Sequence, residues 1–329
     1  MANIEFIITA FGERYLSQLP PLVYSISLSH PNSKIHLLWG DLSQRFINIL
    51  LKSFPKLSAE NTIYNNSSEL AKRISGKTQA WNYAVGNSTA SHLILLDTDT
   101  LVLKDVNWLC DYDTDIIITS TGSFYPINSG VIYCRNSPNV QKFFRLWYDK
   151  TNEILNSSVL FARVNDKKQP FGGADQMALM EIIHFRQNKT NYTCSISDKL
   201  IKIKILPCSL INEIRSVAIT DKTHIIHYKG GWRPILFYGE DFTRNRPKKS
   251  SWDMYILYLK TYYEAIDRIN SKTRMHFTPK YFGLYTPLYL NTRNWQEYNS
   301  LYPLFQIIAG FSHYKRILFN LIMRRDLNN

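Results

Sequence analysis

Two patterns of apolar positions alternate along the first half of the chain. Short apolar runs of strand length are separated by longer segments with apolar residues at helical spacing. The strand candidates are residues 5–10, 34–39, 62–64, 92–96, 115–120 and 130–134, and the helix candidates are residues 16–29, 42–54 and 77–85. This order predicts an α/β fold in which helices cover both faces of a mainly parallel sheet. Ligands of such sheets bind beyond the carboxyl ends of the strands, so polar residues directly after a strand are the first candidates for a site.

The second half of the chain is richer in helical patterns. Residues 139–155 and 174–185 are helix candidates, and residues 201–206 and 224–227 are short strand candidates. From residue 241 onward the composition becomes basic, aromatic and helical. We therefore predict a catalytic domain over residues 1–240 and a helical extension over residues 241–329.

Charge is the compositional feature that adds most to this picture. The net charge is +13, and residues 241–329 contain 14 Lys/Arg against 6 Asp/Glu. Such an excess favours an anionic partner, which can be a nucleic acid, an acidic membrane surface or a phosphorylated ligand. The four cysteines include no CxxC pair, so no zinc cluster is predicted.

Residues 304–325 carry apolar residues at helical spacing together with basic residues. Two interpretations are open: a helix that docks on the catalytic domain, and a helix that lies in the surface of an anionic membrane. No segment has the pattern of a signal peptide or a membrane-spanning helix. The expected location is cytoplasmic, with peripheral membrane contact as an option.

The strongest chemical signal is Asp97-Thr98-Asp99, which directly follows the apolar run 92–96. In an extended backbone, residues two apart face the same side, so the two carboxylates would converge at the edge of the sheet. Converging carboxylates repel each other unless a cation or a proton lies between them. Such hard oxygen ligands suit Mg²⁺ or Mn²⁺, whose coordination is completed by substrate phosphates. The alternative is an Asp-rich turn without a ligand.

Three later segments add candidate chemistry, and each also has a structural interpretation. Asn128-Ser129-Gly130-Val131 would let the backbone approach a ligand closely, or would be a turn. Asp175-Gln176, after two glycines, would face a substrate or cap a helix. In the segment His227-Tyr228-Lys229-Gly230-Gly231-Trp232-Arg233, the imidazole could join the two carboxylates and the basic residues could bind phosphate oxygens. Otherwise these are a structural histidine and surface charges. His224 would face the opposite side of the strand from His227.

In this order, the four segments resemble the GT-A glycosyltransferases, especially those similar to glycosyltransferase family 8, over residues 4–235. The resemblance implies a Rossmann-like GT-A fold, a nucleotide-diphosphate sugar as donor, and Mn²⁺ or Mg²⁺ as cofactor. It also implies transfer to an acceptor hydroxyl of a glycan or lipid-linked molecule, with retention of configuration, in envelope or surface glycan synthesis. The segment after the late glycines departs from the family, which commonly has Lys-Pro-Trp where this chain has Gly231-Trp232-Arg233-Pro234.

The resemblance also assigns residues to roles. The implied metal ligands are Asp97, Asp99 and His227. The implied catalytic residues are Asp175, Gln176 and Asn128. The implied donor-binding residues are Thr9, Ala10, Phe11, Lys77, Asp97, Thr98, Asp99, Ser129, Gly130, Lys229, Gly230 and Arg233.

Two other functional classes fit parts of the sequence. Haloacid dehalogenase-like phosphatases also place Asp-x-Asp after an apolar strand, but they need a later acidic loop that is missing after Asp99. A non-catalytic protein that binds nucleotide sugars or nucleic acid fits the charge and the aromatic content. No nucleic-acid recognition motif supports nucleic-acid binding, so we expect no nucleic-acid partner.

Overall fold

The fold is seen in a computed structural model that describes residues 3–62, 70–121, 126–164, 171–196, 198–213, 220–228 and 252–277. The strands are β1 Ile4–Phe11, β2 Lys34–Gly40, β3 Leu57–Asn61, β4 His92–Leu96, β5 Thr100–Val102, β6 Ile116–Ser120, β7 Asn128–Arg135, β8 Asn191–Ile196, β9 Lys199–Pro207 and β10 Ile225–His227. The helices are α1 Leu19–Ser29, α2 Gln44–Ser53, α3 Leu70–Asn87, α4 Pro138–Asn156, α5 Ser158–Val164, α6 Ala174–Ile182, α7 Cys208–Ile211 and α8 Trp252–Thr273. None of these helices is long and apolar enough to cross a membrane.

Eight strands form one sheet in the order β3-β2-β1-β4-β7-β6-β9-β8. The strands β3, β2, β1 and β4 are parallel to one another, as are β6 and β9. β7 runs antiparallel between β4 and β6, and β8 is an antiparallel edge strand. β5 and β10 form a separate two-stranded antiparallel sheet. The predicted α/β fold with a mainly parallel sheet is confirmed.

Apolar side chains of the central strands pack on both faces of the large sheet. In β1, Phe6, Ile8 and Ala10 lie in one core together with α1, α2 and α8, whereas Ile7 lies in a second core with α3, α4 and α6. This division follows from the strand period, in which successive side chains point to opposite faces. A strand buried on both faces needs an almost continuous apolar run, as the sequence of β1 shows.

Helix α8 belongs to the first of these cores. Its apolar residues Met254, Tyr258, Tyr262 and Ile269 are buried there, at spacings that place them on one helical face. The Tyr258 hydroxyl donates to the carbonyl of Ser17 over 3.0 Å, which fixes α8 against the start of α1. The predicted boundary near residue 240 and the predicted helix over 304–325 lie outside the described residues, so both stay predictions.

Several predicted elements need correction. The edge strand β3, Leu57–Asn61, was not predicted, because its sequence LSAEN has too little apolar content to be recognised as a strand. Of the predicted strand over residues 62–64, only Thr62 is described, and it follows β3. α1 begins at Leu19, after a short 3-10 turn over Glu13–Tyr15, and prolines occupy its first turn. α6 ends at Ile182 because His184 has a φ of 48°. β5, β8, α5 and α7 were not predicted.

Candidate active site

The backbone turns at Thr98 and Asp99 between β4 and β5, so the predicted continuation of extended geometry through Asp99 is wrong. Three interactions fix the turn. The Thr100 hydroxyl donates to the carbonyl of Asp97 over 2.8 Å, the Asp97 N–H donates to the carbonyl of Gly130 over 2.8 Å, and the Thr98 hydroxyl donates to the side chain of Gln18. The two carboxylates therefore converge through a turn rather than through strand alternation.

His227 reaches the two aspartates because β10 pairs with β5, where His227 lies opposite Thr100. The next residue, Tyr228, donates its N–H to the carbonyl of Asp99 over 2.7 Å. The imidazole Nε2 of His227 lies 3.0 Å from Oδ1 of Asp99 and 3.7 Å from Oδ2 of Asp97. The structure thus brings the three predicted side chains together; we call Asp97, Asp99 and His227 the carboxylate–imidazole cluster.

Gly130 makes room for this imidazole. A Cβ atom at residue 130 would lie 2.1 Å from Cε1 and 2.4 Å from Nδ1 of His227, far inside van der Waals contact. From the sequence, Gly130 was expected to let the backbone approach a ligand closely. In the structure, the group next to the Gly130 backbone is the imidazole of His227. The Asn-Ser-Gly segment is also the start of strand β7 and not a turn.

The chemistry of this donor set fits a divalent cation. Each of the three residues offers one ligand atom, and these atoms lie within 4.8 Å of one another. Asp99 and His227 are buried, whereas the Asp97 side chain is 21% exposed. Two carboxylates and a neutral imidazole are ligands that Mn²⁺ and Mg²⁺ accept, and the exposed side leaves access for substrate oxygens.

A second group of side chains adjoins Asp97, and we call Lys77, Ser129 and Asp175 the lysine cluster. The ammonium of Lys77 lies 2.8 Å from Oδ1 of Asp97 and 3.6 Å from Oδ2 of Asp175. It also donates to the Ser129 hydroxyl over 3.2 Å. Burial alone would lower the pKa of Lys77, but the negative charges of Asp97 and Asp175 outweigh it and raise the pKa. Lys77 is therefore a permanent cation between two carboxylates.

Asp175 does not cap helix α6, contrary to one of the two interpretations of its sequence. The cap position is Gly173, and the Asp175 side chain accepts a 2.6 Å hydrogen bond from the Ser129 hydroxyl instead. The backbone carbonyl of Asp175 accepts from the indole N–H of Trp147 over 2.7 Å. The first turn of α6 is thus attached both to β7 and to α4, which points the carboxylate at Lys77.

The remaining predicted residues lie at different distances from this centre. Thr9, Ala10 and Phe11 end β1 at the same sheet edge as Asp97, because Ile8 is paired with Leu96; the Ala10 side chain is in the core. Asn128 is buried, and its side chain accepts from the Gly130 N–H. Gln176 is buried in α6 without a hydrogen bond to the clusters among the described residues. Lys229, Gly230 and Arg233 lie outside the described residues.

Several residues that contact the site were missed by the sequence analysis, among them Trp147, Asn212 and Thr119. Asn212 accepts from Nδ1 of His227 over 2.8 Å, and Thr119 is hydrogen-bonded to Asn212. None of the three belongs to a recognisable motif. Only the fold brings them to the site, so the sequence contained no local signal for them.

No protein-family model and no curated protein sequence matches the chain. Among solved structures, the glycosyltransferase GlyE of Streptococcus pneumoniae TIGR4 superimposes with a TM-score of 0.52 at 12% identity, over 87% of this chain and 65% of GlyE. Its apo form gives a TM-score of 0.52 at 13% identity, over 84% and 65%. The chain has a glycosyltransferase fold. The predicted GT-A class is thereby confirmed at the level of the fold.

The extent of this likeness limits what it implies. The chain spans 65% of the length of the GlyE structures. The galactosyltransferase LgtC, solved in complex with donor and acceptor sugar analogs, gives a TM-score of 0.46 at 15% identity, over 68% of this chain and 87% of LgtC. That second likeness is too distant to support a conclusion. The activity of the chain must therefore be argued from its own side chains.

Proposed function

We propose that the protein is a metal-dependent glycosyltransferase that moves a sugar from a nucleotide-diphosphate donor to an acceptor hydroxyl. The observation that carries the proposal is the convergence of Asp97, Asp99 and His227 at the carboxyl edge of a glycosyltransferase fold. These three residues would hold Mn²⁺ or Mg²⁺, which when bound offsets the negative charge of the departing diphosphate. Membership of glycosyltransferase family 8 stays a prediction.

The lysine cluster supports the donor side of the proposal. Lys77 contacts Asp97 and also Asp175 and Ser129, so it lies between the proposed metal ligands and the start of α6. A partly buried permanent cation in this position would attract the diphosphate and orient the sugar end of the donor. Asp175 would accept hydrogen bonds from sugar hydroxyls, and Gln176 and Asn128 would shape the sugar-facing side.

The nucleoside would extend along the same edge to the end of β1, the strand that pairs with β4 and has Thr9 and Phe11 among its last three residues. Lys229, Gly230 and Arg233 would add contacts to the diphosphate. The acceptor hydroxyl would form a bond to the anomeric carbon as the bond to the nucleoside diphosphate breaks, and the hydroxyl proton would pass to the departing diphosphate. The resemblance favours retention of configuration, and we assign no covalent nucleophile.

A set of aspartate variants tests this function. We expect hydrolysis or transfer of a nucleotide-sugar in the presence of Mn²⁺, with rates at least ~100-fold lower for Asp97→Asn and Asp99→Asn, because each loses one anionic ligand. Asp113→Asn is the matched control, because Asp113 is 83% exposed and, among the described residues, forms its ion pair with Lys202. Unchanged turnover in both site variants would contradict the enzyme proposal.

The competing function is nucleotide-sugar binding without transfer. It would show as donor binding by the wild-type protein without turnover over the whole panel of donors. A thermal-shift screen of nucleotide-sugars with Mn²⁺ identifies the donor in either case, because a ligand that binds only the folded state raises apparent stability. The screen therefore precedes the turnover assay.

The acceptor and the location are the least constrained parts of the proposal. The net charge of +13 favours an acceptor displayed on an anionic surface, such as a lipid-linked or envelope glycan. We expect the full-length chain to float with vesicles that contain anionic lipid and to stay in solution with neutral vesicles. Equal soluble fractions of the protein with anionic and with neutral vesicles would contradict the proposed peripheral membrane contact.

A further inference from the structure

A chain of buried hydrogen bonds ends at the proposed metal-binding histidine. Nδ1 of His227 lies 2.8 Å from Oδ1 of Asn212, and Nδ2 of Asn212 lies 2.6 Å from the hydroxyl of Thr119. That hydroxyl is in turn 3.1 Å from the carbonyl oxygen of Asn128. Asn212, Thr119 and His227 are each fully buried. This series of hydrogen bonds therefore connects β10 with β6 and β7 in the buried interior of the protein.

The direction of every bond in this chain follows from its far end. The carbonyl oxygen of Asn128 can only accept, so the Thr119 hydroxyl must donate to it. The hydroxyl oxygen then accepts from the amide nitrogen of Asn212, which turns the amide oxygen towards His227. An amide oxygen is purely an acceptor, so Nδ1 of His227 must carry a proton.

The backbone fixes the position of Asn212 as well. Asn212 directly follows α7, and its neighbour Glu213 donates its N–H to Ile225 over 3.0 Å and accepts from the N–H of His227 over 2.9 Å. The segment that carries the amide is therefore attached to the strand that carries the imidazole. Ring and amide keep their mutual geometry without help from solvent.

The proton on Nδ1 decides which ring nitrogen serves an ion. With one proton on the ring, Nε2 presents a lone pair towards Asp97 and Asp99. The competing tautomer would place its proton on Nε2, where Oδ1 of Asp99 at 3.0 Å would accept it. That tautomer has no lone pair for a metal in this cluster. Among the two neutral tautomers, an acceptor at Nδ1 therefore works against the one that would exclude the ion.

We propose that Asn212 is a positioning residue that fixes the proton of His227 on Nδ1 and so keeps Nε2 available to a divalent cation, with Thr119 fixing the orientation of the Asn212 amide. The inference rests on the proposed metal site. It adds a polar residue from outside every recognisable motif to the groups on which metal affinity depends.

Mn²⁺ binding, read from the electron paramagnetic resonance of the free ion, tests the consequence. Asn212→Leu removes the acceptor with little change in volume, and we expect Mn²⁺ affinity about 10- to 100-fold lower than wild type. Thr119→Val frees the amide to rotate, and we expect a smaller loss in the same direction. Wild-type affinity in both folded variants would overturn the proposal.

Two matched variants separate this effect from a general loss of buried polar groups. Asn136→Leu removes an amide that donates to the carbonyl of Ser88 over 2.7 Å, and Thr273→Val removes a hydroxyl that donates to the carbonyl of Ile269 over 2.7 Å. Both residues lie away from the clusters, so we expect Mn²⁺ affinity to stay at the wild-type value. An equal loss in these controls would overturn the specific role of Asn212.

The position of the proton is measured directly in the metal-free wild-type protein by long-range ¹H–¹⁵N correlation spectra of ¹⁵N-histidine, with His227→Asn used for assignment. We expect Nδ1 of His227 to be protonated, and an unprotonated Nδ1 would overturn the proposal even if every variant folds poorly. This measurement needs no metal. Failure of wild type to bind Mn²⁺ would instead count against the proposed function.

Discussion

Asp97 belongs to the carboxylate–imidazole cluster and also contacts Lys77 of the lysine cluster. The two clusters balance buried negative charge in different ways. In the lysine cluster, Asp175 lies 3.6 Å from the permanent cation of Lys77. In the carboxylate–imidazole cluster, Asp99 lies 3.0 Å from the Nε2 atom of His227, a side chain whose charge depends on its protonation. The comparison indicates that the lysine cluster is part of the folded structure by itself, whereas the carboxylate–imidazole cluster reaches its full charge balance when it binds a divalent ion.

The largest expected effect on stability comes from the lysine cluster. Lys77→Met would leave the buried carboxylate of Asp175 without its cation, so we expect the free energy of unfolding in the absence of metal to fall by about 3 kcal/mol. Asp99→Asn would cost less, because it also removes the repulsion between Asp99 and Asp97. Urea unfolding in the presence of EDTA measures the free energy of unfolding of both variants. A larger loss for Asp99→Asn than for Lys77→Met would reverse the comparison.

The next effect concerns the space beside His227. Gly130→Ala would place a methyl group 2.1 Å from Cε1 of the imidazole, so the ring or strand β7 must shift. We expect a loss of about 2 kcal/mol in the free energy of unfolding and weaker Mn²⁺ binding. Gly86→Ala is the control, because no described atom beyond its chain neighbours and its own helix backbone lies within 4 Å of the added Cβ, and helix α3 favours alanine by ~0.5 kcal/mol. Equal stability of Gly130→Ala and Gly86→Ala would contradict the tight contact between residue 130 and the imidazole of His227.

The smallest effect lies at the side of the sheet where α8 packs. Tyr258→Phe removes the hydrogen bond to the carbonyl of Ser17, and we expect a loss of about 1 kcal/mol. Tyr263→Phe is the matched control, since Tyr263 is 37% exposed. In thermal unfolding, we expect a lower melting temperature for Tyr258→Phe but not for Tyr263→Phe, and a single unfolding transition for both variants. A separate transition for α8 would show that it does not share the core of the sheet.

The sequence predicted which residues are the proposed metal ligands better than it predicted the local backbone geometry of those residues. Asp97 and Asp99 were predicted because they directly follow an apolar strand of an α/β sheet, and His227 because it belongs to an ordered set of segments that resembles the GT-A glycosyltransferases. The turn at Thr98 was not predicted, since alternation is a property of strands alone. β7 was not recognised as antiparallel, because a strand buried on both faces has an apolar run in either direction.

The contacts around the site were harder to predict than the proposed ligands. Lys77 was expected near the nucleotide, but its bonds to Asp97, Ser129 and Asp175 come from three different elements that only the fold brings together. Asn212 lies at the end of a four-residue helix, and nothing in its surroundings along the chain marks it as a partner of His227. Residues that act through tertiary contacts leave no periodic pattern.

The most direct test of the account is a Mn²⁺ titration of the metal-free protein, followed by electron paramagnetic resonance of the free ion. We expect wild type to bind one ion per chain at this site and Asp99→Asn to bind it at least ~10-fold more weakly. Asp113→Asn should match wild type. Equal Mn²⁺ affinity of wild type and Asp99→Asn would contradict the central claim that these side chains form the metal site.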